Sequence, residues 1–416
     1  MPKITWTDMQ LSKKVENIPE ALSIYMNQLV YNYKKKEDDI VVMSLGEAYF
    51  DIPLFDFTKI DHVRGYHYSE SRGLLELRKK ICDFYRVQYG AEIDAEKEIL
   101  ISAGSKSLIF MAMQAVLNDG DEALLHEPAW LSYQEQIKLV GALPRFIPYH
   151  TDITGFDEYL SEKTRMLILN NPNNPAGWMY RKDDLENLYS ILRPRGIYLL
   201  VDEAYSDFAI DQRFPSAMTL SPNKDGIIVI NSLSKNMGIS GWRIGYVMAA
   251  EIIIDHILKI NQHLITCAAS VLLLYLAEYF EDILGCTLPQ VHDCVRKRQR
   301  IASYMDEIGL NYLPGASTFY FFISLHDFKD SSLDFALYLL LKHKIAVVPG
   351  SAYGQSTRSF VRISVGTESE ERLRQALNTV KRVIDQCEVD KSYILDKLKE
   401  NGWHYFQEAI SRTGGR

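Results

Sequence analysis

A chain of 416 residues, 47% hydrophobic and 24% charged, has the composition of an ordinary folded protein with room for about two domains. Its net charge of -8 argues against nucleic acid or an anionic membrane as the main partner. The opening MPKITWTDMQ lacks an apolar run, the longest apolar stretch (268–277) is far short of the ~20 residues of a spanning helix, and five cysteines without a CxxC pair point to a reduced, cytoplasmic protein.

Residues 11–36 read as a helical entry, followed by SLGEAYFDIP (44–53) as an irregular loop. His62 and His67 have no neighbouring Cys or His at metal-ligand spacing, so no metal is expected. From residue 98 short apolar runs alternate with helical patterns. The runs are EILISAG (98–104), EALLHEP (122–128), RMLILNNP (165–172), GIYLLVDEAY (196–205), GIIVINSLSK (226–235) and WRIGYVMAA (242–250). Residues 108–117, 131–140 and 182–192 read as the helices between them. Near-continuous apolar strands separated by helices predict an α/β fold, with a mostly parallel seven-stranded sheet between helices. The step from Ile230 to Arg243 is too short for a crossover helix, so the strand near Arg243 is expected to run antiparallel. From about residue 301 the pattern becomes α+β, with STFYFFISL (317–325), KIAVVPGSAYG (344–354), SFVRISVG (359–366) and a helix over 368–386. Residues 391–416, with Trp403, Tyr405 and Phe406, read as a docked helix with a frayed end. The expected division is an N-terminal segment (1–55) and a C-terminal region (301–416) forming a smaller domain from both chain ends, around a large domain over 56–300. No internal repeat or low-complexity tract appears.

Ligands of such sheets bind beyond the C-terminal strand ends. The polar residues gather there, at 104–107, 170–177, 202–205 and 232–235. In SLSKNMGISGWRIGY, Lys235 and Arg243 lie eight positions apart with no carboxylate in the segment. That favours a shared anionic target, or a lysine that loses its charge. Asp202 closes the apolar run YLLV, where a buried carboxylate needs a partner. Ser105, Lys106 and Ser107 follow a strand and open a helix, whose N-terminus suits an anion. Arg362 interrupts the apolar strand FVRISV, which is costly unless it meets an anion.

SLSKNMGISGWRIGY, together with LNNPNNPAG, LVDEAYSDF, YHYSESRGLLELR, HEPAWLSY, VPGSAYG and FVRISV, resembles the motifs of class I/II pyridoxal-phosphate-dependent aminotransferases, which have the aspartate aminotransferase fold (fold type I). The likeness spans roughly residues 40–385. It implies an enzyme that moves an amino group between an L-amino acid and a 2-oxo acid, with pyridoxal 5'-phosphate held as a Schiff base by Lys235. It further implies Asp202 on the pyridinium nitrogen, Tyr205 and Asn174 on the ring oxygen, and Trp130 stacked on the ring. Ser105, Ser232, Arg243 and Lys106 fall at the phosphate, although lysine is unusual at position 106. Tyr68 matches a tyrosine that reaches the phosphate of a neighbouring subunit, implying a homodimer. Arg362 and Gly46 fall at the substrate α-carboxylate, with Asn174 beside them. Ala48 and Tyr49 replace the usual Pro-Asp of that loop. Tyr25, Glu47, Trp178 and Tyr353 are candidates for the side-chain pocket, and Arg64, Arg72 and Arg358 for a second carboxylate.

The same motifs also serve lyases, cyclases and oxidases of this fold, which stand as the alternative. A nicotinamide oxidoreductase would need GxGxxG after its first strand, where GSKSLIF stands. A cofactor-binding transcriptional regulator would need a DNA-binding module, and the roughly forty residues before the first motif leave no room for one.

Overall fold

The runs MLILN, YLLVD and IIVIN are rich in Leu, Ile and Val and do not alternate with polar residues. Each forms a strand covered on both faces. The computed structural model describes residues 12–16, 18–35, 39–210, 213–326, 328 and 330–403. Its strands are β1 (Val41–Val42), β2 (Ile99–Ser102), β3 (Glu122–His126), β4 (Leu143–Ile147), β5 (Thr164–Asn170), β6 (Tyr198–Asp202), β7 (Ile227–Ser232), β8 (Gly245–Ala249), β9 (Tyr320–Ser324), β10 (Ile345–Ala346), β11 (Val348–Pro349) and β12 (Phe360–Ser364).

Seven strands form the large sheet in the order β2-β8-β7-β6-β5-β3-β4. All neighbours are parallel except β8, which is antiparallel to β2 and β7. The short 230–243 step therefore does what its length requires. It carries only the helix Leu233–Asn236 and the 3-10 turn Ser240–Trp242 before the chain reverses into β8. Edge strand β4 was not legible in the sequence. Its residues LPRFI are half exposed and include a proline, which an edge strand accommodates.

Successive residues of the central strands enter two different cores. Leu199 and Val201 pack on one face with Leu77 and Ile81 of helix Leu75–Tyr89. Leu200 packs on the other with Leu108 and Ile109 of helix Ser105–Val116. Helix Ser270–Glu307, interrupted at Tyr279, runs through residue 300 and into the small domain.

The small domain draws on both chain ends. Val41 and Val42 pair in parallel with Ile345 and Ala346, while β11, β12 and β9 form an antiparallel sheet. Helix Leu22–Lys34 shares their core. Helix Lys391–Glu400 docks through Ile394 and Leu398, and the Trp403 ring meets the edge of Tyr33 at 5.0 Å. Tyr405 and Phe406 lie outside the described residues. Among the described residues no helix is long and apolar enough to cross a membrane, and no group of three His, Cys, Asp or Glu could hold a metal.

Coverage on both faces makes neighbouring residues of β6 equally dependent on packing. Leu199→Ala and Leu200→Ala, both fully buried, should each destabilise the protein by about 2–5 kcal/mol. Urea unfolding followed by circular dichroism checks this. A strand covered on one face only would show the loss at one of the two positions.

Candidate active site

The C-terminal ends of β2, β5, β6 and β7 and the start of β8 meet at one edge of the large sheet. There they border a cavity of about 490 Å³, lined on the other side by residues of the small domain. Ser105, Lys106, Trp130, Asn174, Asp202, Tyr205, Ser232, Lys235, Arg243, Gly46 and Arg362 all line it. Tyr68 does not; it stands on the surface, 86% exposed.

Lys235 follows β7 on the short helix capped by Ser232, whose Oγ accepts from Ser234 N–H at 3.1 Å. Among the described residues no carboxylate binds the amine directly. Its Nζ donates to the Gly46 carbonyl at 2.6 Å. Burial draws its pKa down to about 8, Arg362 and Arg243 act in the same direction, and Glu47 and Asp202 oppose them. The amine therefore loses its proton far more readily than an exposed lysine. Glu47 lines the cavity and accepts from Ser240 Oγ at 2.6 Å.

Asp202 and Glu203 end β6 on opposite sides of the chain. Asp202 faces the cavity, with Oδ2 accepting from Tyr133 Oη at 2.6 Å and Oδ1 from Ala204 N–H at 3.1 Å. Burial raises its carboxyl above the usual range, while the Tyr133 bond opposes the rise. Glu203 turns away to Ser216, Ala217 and Tyr85, where burial pushes it up to about 8. Tyr133 was missed by sequence reasoning. It lies one helical turn beyond Trp130 in the same motif, and its ring meets the edge of Trp130 at 5.2 Å. Tyr205 receives Asn174 Nδ2 at 3.4 Å and bonds Tyr320 Oη at 2.9 Å. Tyr320 also gave no sequence signal, being one aromatic residue in the run TFYFF.

The two cavity arginines sit in different surroundings. Arg243 holds the left-handed backbone conformation, with φ 57°, and donates to the Ser240 carbonyl at 2.8 Å. Its guanidinium lies over Gly104, where an added Cβ would stand 2.6 Å from Nη2. A glycine thus lets the cation close on the N-terminus of helix Ser105–Val116. Lys106 joins this end, its Nζ 5.0 Å from the Trp130 ring centre. Ser107 does not reach the cavity; its hydroxyl bonds the Ala103 and Gly104 carbonyls, as a helix-start residue does.

Arg362 is 4% exposed. Its Nη2 donates to the Ser44 carbonyl at 2.6 Å and its Nη1 to Asn174 Oδ1 at 3.4 Å, while the Tyr320 ring lies 4.6 Å away. Its Nε is buried without a hydrogen-bond partner. A buried guanidinium in this state is shaped for an anion.

Several expected pocket residues lie elsewhere. Trp178 stacks on His126 at 5.3 Å, and Tyr353 is buried among Phe322 and Phe360. Tyr25 packs into the small-domain core, while its helix neighbours Ile24, Asn27 and Tyr31 line the cavity instead. The one-in-four spacing that brings those three to the cavity carries Tyr25 away from it. Arg64 is paired with Glu76, Arg72 with Asp255, and Arg358 donates to Gln355; none lines the cavity.

The chain matches the family described as "Aminotransferase class I and II" over residues 59–380. An aspartate aminotransferase of Pyrococcus abyssi is 29% identical, over 83% of this chain and 92% of that protein. The aromatic-amino-acid aminotransferase 2 of Thermococcus litoralis is 28% identical, over 84% and 92%. Among solved structures, an aromatic aminotransferase from Pyrococcus horikoshii superposes with a TM-score of 0.76 at 29% identity, covering 86% of this chain and 99% of that one. An aspartate aminotransferase from Thermotoga maritima gives 0.77 at 26% identity, covering 90% and 100%. With the motif order, the two-domain fold and the family match in agreement, this chain is an enzyme of the class I and II aminotransferases.

Proposed function

We propose that the cavity holds pyridoxal 5'-phosphate and that Lys235 carries amino-group transfer from an L-amino acid to a 2-oxo acid. The observation that supports this most is Lys235 itself. It is an amine with a depressed pKa, in one cavity with a buried carboxylate and with Arg362, whose partners include no carboxylate. The donor set fits the cofactor. The Gly104 cradle under Arg243 suits a phosphate, Asp202 suits a protonated ring nitrogen, and Trp130 offers an aromatic wall. When bound, pyridoxal phosphate supplies an aldehyde for the amine and a ring that withdraws electrons from the substrate Cα.

Each side chain then has a task of its own. Lys235 Nζ, uncharged, accepts the Cα proton and returns it. Tyr133 and the Ala204 amide fix the Asp202 carboxylate in place. Tyr205 and Asn174 would hold the ring oxygen by donating to it, and Tyr320 orients Tyr205. Lys106 and Arg243 would balance the phosphate charge, and Ser105 and Ser232 would donate hydrogen bonds to it. Arg362 grips the substrate α-carboxylate, with the Gly46 loop and Asn174 beside it. Ile24, Tyr31 and Leu45 in the lining favour an apolar or aromatic donor side chain. The relatives' names, aspartate and aromatic aminotransferases, favour transfer over elimination, cyclisation or oxidation. We further propose a cytoplasmic homodimer in which Tyr68 serves the partner's phosphate. Its exposure, alongside exposed Val63 and Tyr66, supports a protein-covered surface. The boundaries near residues 55 and 300 remain part of this reading.

Loaded protein mixed with a single L-amino acid should release about one 2-oxo acid per site and stop, then resume when a second 2-oxo acid is added. Continuous ammonia release would instead mark elimination or oxidation. Borohydride treatment followed by peptide mass mapping should place the pyridoxyl mass on Lys235, and Lys235→Ala should lower turnover by at least about 10³-fold.

Protonated Lys235 cannot attack an aldehyde. Capture of pyridoxal phosphate by cofactor-free protein should therefore speed up with pH and level off above about 8, well below the 10.5 of an ordinary lysine. Glu47 holds the proton on, so Glu47→Gln should move the inflection to lower pH. Stopped-flow absorbance across pH measures both.

A further inference from the structure

Glu127 directly follows β3, three residues before Trp130 in HEPAW, and is 1% exposed. A buried carboxylate needs strong partners. Its partners lie in the small domain. Gln355 N–H donates to Oε1 at 2.7 Å, Ser356 N–H donates to Oε2 at 2.8 Å, and the Ser356 hydroxyl also donates to Oε2. These donors belong to the turn between β11 and β12, which leads directly into the strand carrying Arg362.

The approach is too close for any side chain at position 354. Gly354 has φ 149°, and an added Cβ would stand 2.4 Å from Glu127 Cδ. Two further bonds run alongside. Ala129 N–H donates to the Tyr353 carbonyl at 2.8 Å, and Tyr149 N–H donates to Ser356 Oγ at 3.2 Å. The same segment also braces the Asn174 loop, because the Pro128 carbonyl accepts from Asn173 Nδ2 at 3.1 Å. Neither Glu127 nor the 354–357 turn lines the cavity.

We propose that Glu127 is a positioning residue. Its carboxylate clasps the 354–357 turn and so fixes the Arg362 strand against the Trp130 side of the cavity. The proposal rests on the reading of Arg362 as the α-carboxylate fork. Small displacements of a gripping residue are expensive in substrate orientation, while the phosphate end, built on Arg243 and the Ser105 helix, does not depend on this clasp.

Glu127→Gln keeps the shape but turns one oxygen into an NH₂ group facing N–H or O–H donors. In the holoenzyme, with the best donor from the amino-acid panel, KM should rise about tenfold while kcat stays within about threefold. The pyridoxal phosphate Kd, read by tryptophan fluorescence, should stay within about twofold. Deuterium uptake of the 354–357 peptide should accelerate in the cofactor-free protein. Gly354→Ala should act in the same direction, and the milder Ser356→Ala should raise KM about threefold. The clasp is overturned if Glu127→Gln leaves KM unchanged, or if KM and the cofactor Kd rise together as in a general loosening. Arg362→Lys separates the two readings. If it raises KM and Glu127→Gln does not, the fork stands and the clasp falls. If Arg362→Lys leaves KM unmoved, the fork itself is wrong, and the clasp falls with it.

Discussion

Positive charge gathered at one sheet edge with too little negative charge to match it is the constraint on which the site depends. Lys106, Lys235, Arg243 and Arg362 face one cavity, and Glu47 and Asp202 are the carboxylates that answer them there. An arrangement of this kind opposes folding most at Arg362, which is buried, and at half-buried Lys235, while Lys106 and Arg243 keep contact with solvent. It persists because the surrounding frame is rigid. Strands buried on both faces deliver Asp202 and Ser232, and backbone carbonyls of Gly46, Ser44 and Ser240 take up donors from the cations. The unsatisfied remainder is binding capacity for anionic groups.

The cavity belongs to two bodies rather than one. The large sheet supplies Lys235, Asp202 and the Gly104 cradle, while the small domain supplies Arg362, Tyr320 and the Gly46 loop. Contacts between them are apolar as well as polar: Tyr205 and Phe208 pack edge-on against Phe319, and hydrogen bonds cross beside them. Lys235 meets Gly46, Asn174 meets Arg362, Tyr205 meets Tyr320, and Glu127 meets the 354–357 turn. Hydrogen bonds of this sort define distance and angle more sharply than apolar packing does, which suits a site whose reacting groups come from separate domains.

Much of this was legible in the sequence because the relevant signals are local. Apolar runs without alternation marked the parallel strands, and a short step marked the reversal into β8. The chemistry-bearing residues sat at strand ends, where a parallel sheet collects them. What was not legible depends on partners far apart in the chain. Tyr133 and Tyr320 are ordinary aromatics until folding sets one against Asp202 and the other against Tyr205. Tyr25 was the pocket candidate on its helix, and the rotation of helix Leu22–Lys34 brings Ile24 and Tyr31 to the cavity instead. Edge strand β4 failed for a different reason, since a proline and half-exposed residues dilute its pattern.

The pairing of β1 with β10 has a consequence for how the protein comes into being. Val41 waits for Ile345, so roughly 300 residues must leave the ribosome before the small domain can close. The central sheet from β2 to β8 can collapse meanwhile, with Lys235 and Asp202 already in place. Arg362 arrives later still. Throughout that part of synthesis the nascent chain therefore carries Lys235 without Arg362, and the two sides of the cavity meet only after the strand carrying Arg362 has emerged.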